Sequence, residues 1–141
     1  MSGPDALATV TRLLDATNDH DLDGIVGCFD SDYRNETPAH PMRGFTGRDQ
    51  VRRNWAAILS GVPDIRSTMS AHCVDGDRIW GEWRMWGTRR DGRPHEMAGV
   101  IVFTVREGLI REAAFYLEPV ERESGDADDA VSQAVARGAR P

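Results

Sequence analysis

Two charged side chains, Glu82 and Arg84, interrupt a stretch rich in tryptophan, with Trp80, Trp83 and Trp86 around them. In an extended strand, successive side chains point to opposite faces. Trp80, Glu82, Arg84 and Trp86 would therefore share one side, and Ile79, Gly81, Trp83 and Met85 the other. If the first set faces a pocket, the charges must pair or meet a polar ligand, because lone buried charges are costly. A carboxylate held there can take or give a proton, and the guanidinium beside it can modulate it or hold an anion. If the set faces outward, the same two residues form a surface or dimer-interface ion pair. Each tryptophan is open in the same way, as ligand wall or as ordinary sheet packing. His40, in Glu36-Thr37-Pro38-Ala39-His40-Pro41, is a third candidate, because imidazole exchanges protons near neutral pH. Its plain alternative is a solvated loop histidine.

Other chemistries find no residues to carry them. His20, His72 and His95 are scattered, without H-x-x-x-H or Cys-His spacing, so no metal site is expected. There is no G-x-G-x-x-G, nucleophile elbow or Cys-His pairing, and no cofactor is expected. All 17 basic residues are Arg, which removes Schiff-base chemistry and a P-loop lysine. The net charge of −6, with arginines spread along the chain, argues against nucleic acid as a partner. Cys28 and Cys73 lie far apart and read as buried free thiols. No apolar run approaches a membrane span and the first residues lack a leader pattern, so a cytoplasmic location is the default expectation.

The elements that must position these residues can be read from periodicity. The chain has 141 residues, 40% of them hydrophobic, which suits one packed domain. Leu7, Val10, Leu13 and Leu14 recur at helical spacing between Pro4 and Asn18, and Asp21 can cap a short second helix ending near Phe29. Tyr33 to Thr37 reads as a short strand, the segment from Pro38 to Gly47 as a loop, and Arg48 to Leu59 as a third helix. Four strands follow, Ile65–Val74, Arg78–Arg90, Pro94–Val105 and Leu109–Leu117, separated by Asp75-Gly76-Asp77, Asp91-Gly92 and Glu107-Gly108. Helices first and strands afterwards predict an α+β domain over residues 1–120, with one curved antiparallel sheet folded around three helices. Residues 121–141 are a tail, helical from Asp126 to Arg137 or disordered.

Val10-Thr11-Arg12-Leu13, then Asp21-Leu22-Asp23-Gly24-Ile25-Val26, Phe29 and Pro38 resemble the opening of bacterial ketosteroid isomerases. The Gly47-to-Leu59 helix and the last two strands can be aligned as well. The Pro- and Gly-containing loop before the third helix and Gly99-Val100-x-Val102-Phe103 are similar to SnoaL-like polyketide cyclases. Both belong to the cone-shaped nuclear transport factor 2-like superfamily. The strand holding Glu82-Trp83-Arg84 resembles the Arg-x-Asp strand of limonene epoxide hydrolase, with the charges exchanged.

This resemblance implies a small-molecule pocket between helices and sheet, lined by Leu13, Thr37, Trp55, Trp86, Met97, Gly99, Ile101 and Phe115. It turns Glu82 and Arg84 inward and puts His40 near the mouth. The isomerase's oxyanion Tyr falls on Leu13, its base on Thr37 and its oxyanion acid on Ile101, while Phe115 replaces the hydrolase's last Asp. Ketosteroid isomerisation is therefore not expected. The expected function is cofactor-independent acid–base chemistry (isomerisation, cyclisation, or hydration with epoxide opening) on a small, mostly apolar molecule, with Glu82, Arg84 and His40 as catalytic residues. The alternative is a non-catalytic ligand-binding or dimerisation module. Apolar residues on both sides of the two long strands also predict a homodimer through the outer sheet face.

Overall fold

In the computed structural model, which describes residues 2–138 and the side chains of residues 6–136, the helices come first. Helix α1 spans Ser2–Asn18 and buries Ala6, Val10, Leu13 and Thr17, residues three or four apart that form one stripe against the sheet. Asp21 caps α2, Leu22–Val26, by accepting a hydrogen bond from the Gly24 backbone N–H. This helix stops earlier than its periodicity suggested, because Phe29 already begins strand β1, Phe29–Glu36. The following loop carries a single helical turn, Pro41–Arg43, and a two-residue strand β2, Phe45–Thr46. Helix α3 is Arg48–Gly61.

Strands β3 (Arg66–Asp75), β4 (Arg78–Thr88), β5 (Pro94–Arg106) and β6 (Leu109–Pro119) form the expected antiparallel meander. At the two-residue corner Glu107-Gly108 both residues have positive φ, as one of the favoured hairpin turns requires. The sheet has six strands in the order β2-β1-β6-β5-β4-β3. It is not wholly antiparallel, because β1 pairs with β6 in parallel. A loop with one helical turn, the short strand β2 and helix α3 separate β1 from the meander, so its direction is not dictated by a hairpin. At Gly99 the β5 and β6 backbones come so close that a Cβ would lie 2.0 Å from the Tyr116 carbonyl oxygen, and only glycine permits that approach.

Helix α4, Ala127–Gly138, is the helical of the two alternatives for the tail, and its described side chains are exposed. The segment leading to it is held by the Val120 N–H donating to the Glu96 carbonyl and by Arg122 gripping the Glu96 carboxylate. Cys28 is buried, whereas Cys73 is exposed on β3, contrary to the expectation of two buried thiols. No helix among the described residues is long and apolar enough to cross a membrane.

Candidate functional site

The inner sheet face, α1 and α3 enclose a cavity of about 330 Å³ that opens at one end. Its floor is apolar: Leu13 from α1, Phe29 from β1, Val51 from α3, Trp83 from β4 and Phe103 from β5 are all buried. The Trp83 and Phe103 rings pack with centroids 5.7 Å apart, and Phe29 meets Tyr33 edge-on at 4.7 Å. Further out, the wall holds Asn35, Thr37, Trp55, His95, Met97, Phe115 and Leu117, all half-buried. Arg43 and Asn54 are exposed lining residues and mark the mouth.

Strand alternation places the polar groups. Tyr33, Asn35 and Thr37 are spaced by two along and just beyond β1, so all three reach the cavity, while Arg34 and Glu36 turn away and pair with each other on the outer face. The Tyr33 hydroxyl donates to Asn35 Oδ1 at 2.8 Å. Burial pushes the Tyr33 phenol well above its ordinary value, so it remains protonated. The same alternation on β5 carries Phe103, Ile101, Met97 and His95 inward. His95 stands opposite Gly87 on β4. Burial, and then the charge of Arg89, lower its proton affinity, so its imidazole is neutral at pH 7.

Leu13, Thr37, Trp55, Met97, Ile101 and Phe115 are among the residues that line the cavity. Gly99 does not line it, because its role is the close approach to β6. Glu82 and Arg84 are a correction. Both are exposed on the outer sheet face with Trp86, which is 44% exposed, while Ile79, Gly81, Trp83 and Met85 take the inward positions. The physical reason is the cost of burying charge: with four apolar residues on the alternate positions, turning β4 over would expose them and bury two charged side chains. His40 is also outside the cavity lining. Its Nε2 lies 2.8 Å from Glu118 Oε1, which ties the loop bearing Arg43 to the end of β6.

Sequence reasoning passed over His95, Asn35, Asn54, Tyr33 and Arg43. For His95 the signal was present, since counting back by twos from Ile101 passes through Met97 and reaches it. Together these residues offer one neutral imidazole that can accept a proton, several N–H donors, and no carboxylate in the lining. Such a set can take a proton from a bound molecule and hold the oxygen on which negative charge develops. Among the described residues, no cluster of three or more His, Cys, Asp or Glu could hold a metal ion.

Three solved structures share this architecture. A candidate SnoaL-like polyketide cyclase from Jannaschia sp. CCS1 is 19% identical, with a TM-score of 0.70 over 99% of this chain and 96% of that one. AclR, a candidate hydroxylase from Streptomyces galilaeus, is 18% identical, with a TM-score of 0.72 over 98% and 94%. A Mycobacterium tuberculosis protein in complex with estradiol-17beta-hemisuccinate is 19% identical, with a TM-score of 0.69 over 79% and 92%. Among curated proteins, no sequence matches this one. The SnoaL-like domain family matches residues 10–113, which takes in α1 from Val10 on, the whole loop and helix region and the sheet as far as Ala113. With that match, and with a curled sheet closed over an apolar cavity, the chain belongs to the SnoaL-like domain family.

Proposed function

We propose that this protein binds a small, mostly apolar molecule in its cavity and catalyses a proton-transfer reaction on it without a cofactor. The reaction class is isomerisation, cyclisation, or hydration with epoxide opening. The observation that supports it most is His95, a half-buried imidazole of lowered proton affinity in the wall of a cavity whose floor is apolar. His95 is the proton acceptor in this reading, and the free N–H₂ group of Asn35 holds the developing negative charge. Glu82 and Arg84, on the outer face, take no part in the chemistry. The estradiol-17beta-hemisuccinate complex of a protein with this fold supports an apolar ligand.

A second reading, a non-catalytic ligand-binding module, is favoured by one observation: among the described residues no carboxylate lines the cavity. The two separate in one experiment. The protein is incubated in D₂O with a panel of small cyclic ketones, unsaturated esters and epoxides, and exchange or product is followed by NMR and mass spectrometry. Turnover that falls by on the order of a hundredfold in His95→Gln supports the enzyme. Micromolar binding with no turnover across the panel supports the module.

The reading also includes a homodimer joined through the outer sheet face and a cytoplasmic setting without nucleic-acid partners. Trp86 and Tyr116, 44% and 49% exposed on that face, support the dimer. The free thiols of Cys28 and Cys73 fit a reducing compartment.

A further inference from the structure

The polar groups of the cavity are unequally divided between donors and acceptors. Asn35 Oδ1 is occupied by the Tyr33 hydroxyl and Asn54 Oδ1 by the Gln50 amide, at 2.8 and 2.7 Å. Both side chains therefore keep their N–H₂ groups unspent among the described residues. The Arg43 guanidinium at the mouth makes no ion pair or hydrogen bond among the described residues, whereas Arg34, Arg52, Arg106, Arg111 and Arg122 all meet carboxylates. A second guanidinium, Arg89, is close enough to His95 to act on it electrostatically. Nearby carboxylates are engaged elsewhere, Glu118 by His40 and Asp64 by the Thr88 backbone N–H. The chain as a whole carries −6, so a positive, donor-rich mouth is a local departure from its surface.

We propose that the cavity selects a small apolar molecule bearing a carboxylate, its hydrocarbon body on the floor of Leu13, Trp83 and Phe103 and its carboxylate at the mouth against Arg43 and the Asn54 amide. This rests on the cavity's being the ligand site, as above, and adds the charge of the ligand. The floor offers a hydrocarbon body aromatic contact and no competing polar group, and a guanidinium with an amide matches the planar acceptor geometry of a carboxylate. A cationic ligand would meet Arg43 with like charge and would find few acceptors.

The test uses three probes with one hydrocarbon body: naphthylacetate, naphthylacetamide and naphthylethylammonium, each titrated into the full chain by calorimetry. Naphthylacetate should bind about tenfold more tightly than the amide, and the ammonium probe more weakly than either. The advantage of the acid should shrink several-fold between 0.05 and 0.5 M salt, roughly as screening of an exposed charge requires. Arg43→Met, at an exposed position, should remove the preference for the acid and leave amide binding unchanged. Leu117→Trp, which fills the cavity from its half-buried wall, should abolish binding of both. Equal binding of acid and amide would overturn the carboxylate assignment and leave the cavity reading intact. Acid binding that survives Leu117→Trp in a folded protein would put the anion outside the cavity and overturn the assignment as well. Failure of all three probes to bind would sink it together with the cavity reading.

Discussion

The Tyr33 hydroxyl donates to the side-chain oxygen of Asn35, its neighbour by two along β1, at 2.8 Å. Tyr33 is 1% exposed, so this hydroxyl has exchanged water for one protein partner, and the Asn35 amide is held with its N–H₂ group free. Tyr33→Phe should cost about 1 kcal/mol of stability, the net worth of an ordinary buried hydrogen bond. It should also weaken ligand binding several-fold by freeing the amide to rotate, whereas Asn35→Ala should weaken it more. Denaturant unfolding and calorimetry on the same samples would separate the two effects; unchanged binding in Tyr33→Phe would show that the amide is held by other means.

His95 supplies a pH dependence whose sign is fixed. Its folded-state proton affinity lies below the ordinary value of 6.5, first through burial and then through Arg89. Between the folded and unfolded values the unfolded chain binds more protons, so stability rises with pH there. The contribution of His95 is present above about pH 6.5 and is lost as pH falls below it. An NMR titration of the His95 ring protons should give a midpoint below 6.5, and Arg89→Gln should raise that midpoint. A midpoint above 6.5 would contradict the arrangement around the ring.

Gly99 tests the curvature of the sheet. Any side chain there drives a Cβ into the Tyr116 carbonyl, a backbone atom that cannot swing aside. Gly99→Ala should destabilise the fold by roughly 2 kcal/mol or more, as other overpacked or backbone-clashing substitutions do. Gly81→Ala meets side-chain atoms alone, chiefly the sulfur and Cγ of the flexible Met69, and should be milder. Parallel melting curves of the two variants would show it.

On the outer face, Glu82→Gln should leave ligand binding in the cavity unchanged, because that side chain points away from it. A double substitution, Trp86→Glu with Tyr116→Glu, should convert the proposed dimer to monomer in light scattering at micromolar concentration, since like charges would be buried across the interface. A wild-type chain that scatters as a monomer would remove the dimer from the proposal.

The element order and the meander were legible in the sequence because each follows from a period of 3.6 or 2, whereas the lining residues Leu13, Thr37, Trp55, Met97, Ile101 and Phe115 were implied by the family resemblance. The facing of β4 was open for a physical reason. Trp80 and Trp86 on one side and Trp83 and Met85 on the other make both faces look apolar, so a local pattern alone does not choose between them. Comparing whole faces does choose, because Ile79, Gly81, Trp83 and Met85 carry no charge and the other face carries two. His95 sits at the hairpin end of β5 between Pro94 and Glu96, where no neighbouring apolar pattern marks the inward face. The Asn35 and Arg43 contributions depend on the loop's path and on the parallel pairing of β1, neither of which has a local sequence signature.

That pairing makes β1 a late arrival. The meander is stitched by short turns and can assemble from neighbours in the chain, but β1 must find β6 from far away: Asp30 and Arg111, which meet at 2.9 Å, are 81 residues apart. Closing so large a loop is entropically expensive and belongs to the final stage of folding. Tyr33, Asn35 and Thr37 all arrive with that strand, so the cavity has no complete wall until the chain is otherwise folded. A molecule bound there grips the last contacts to form, and its effect should be felt as slower unfolding rather than faster folding.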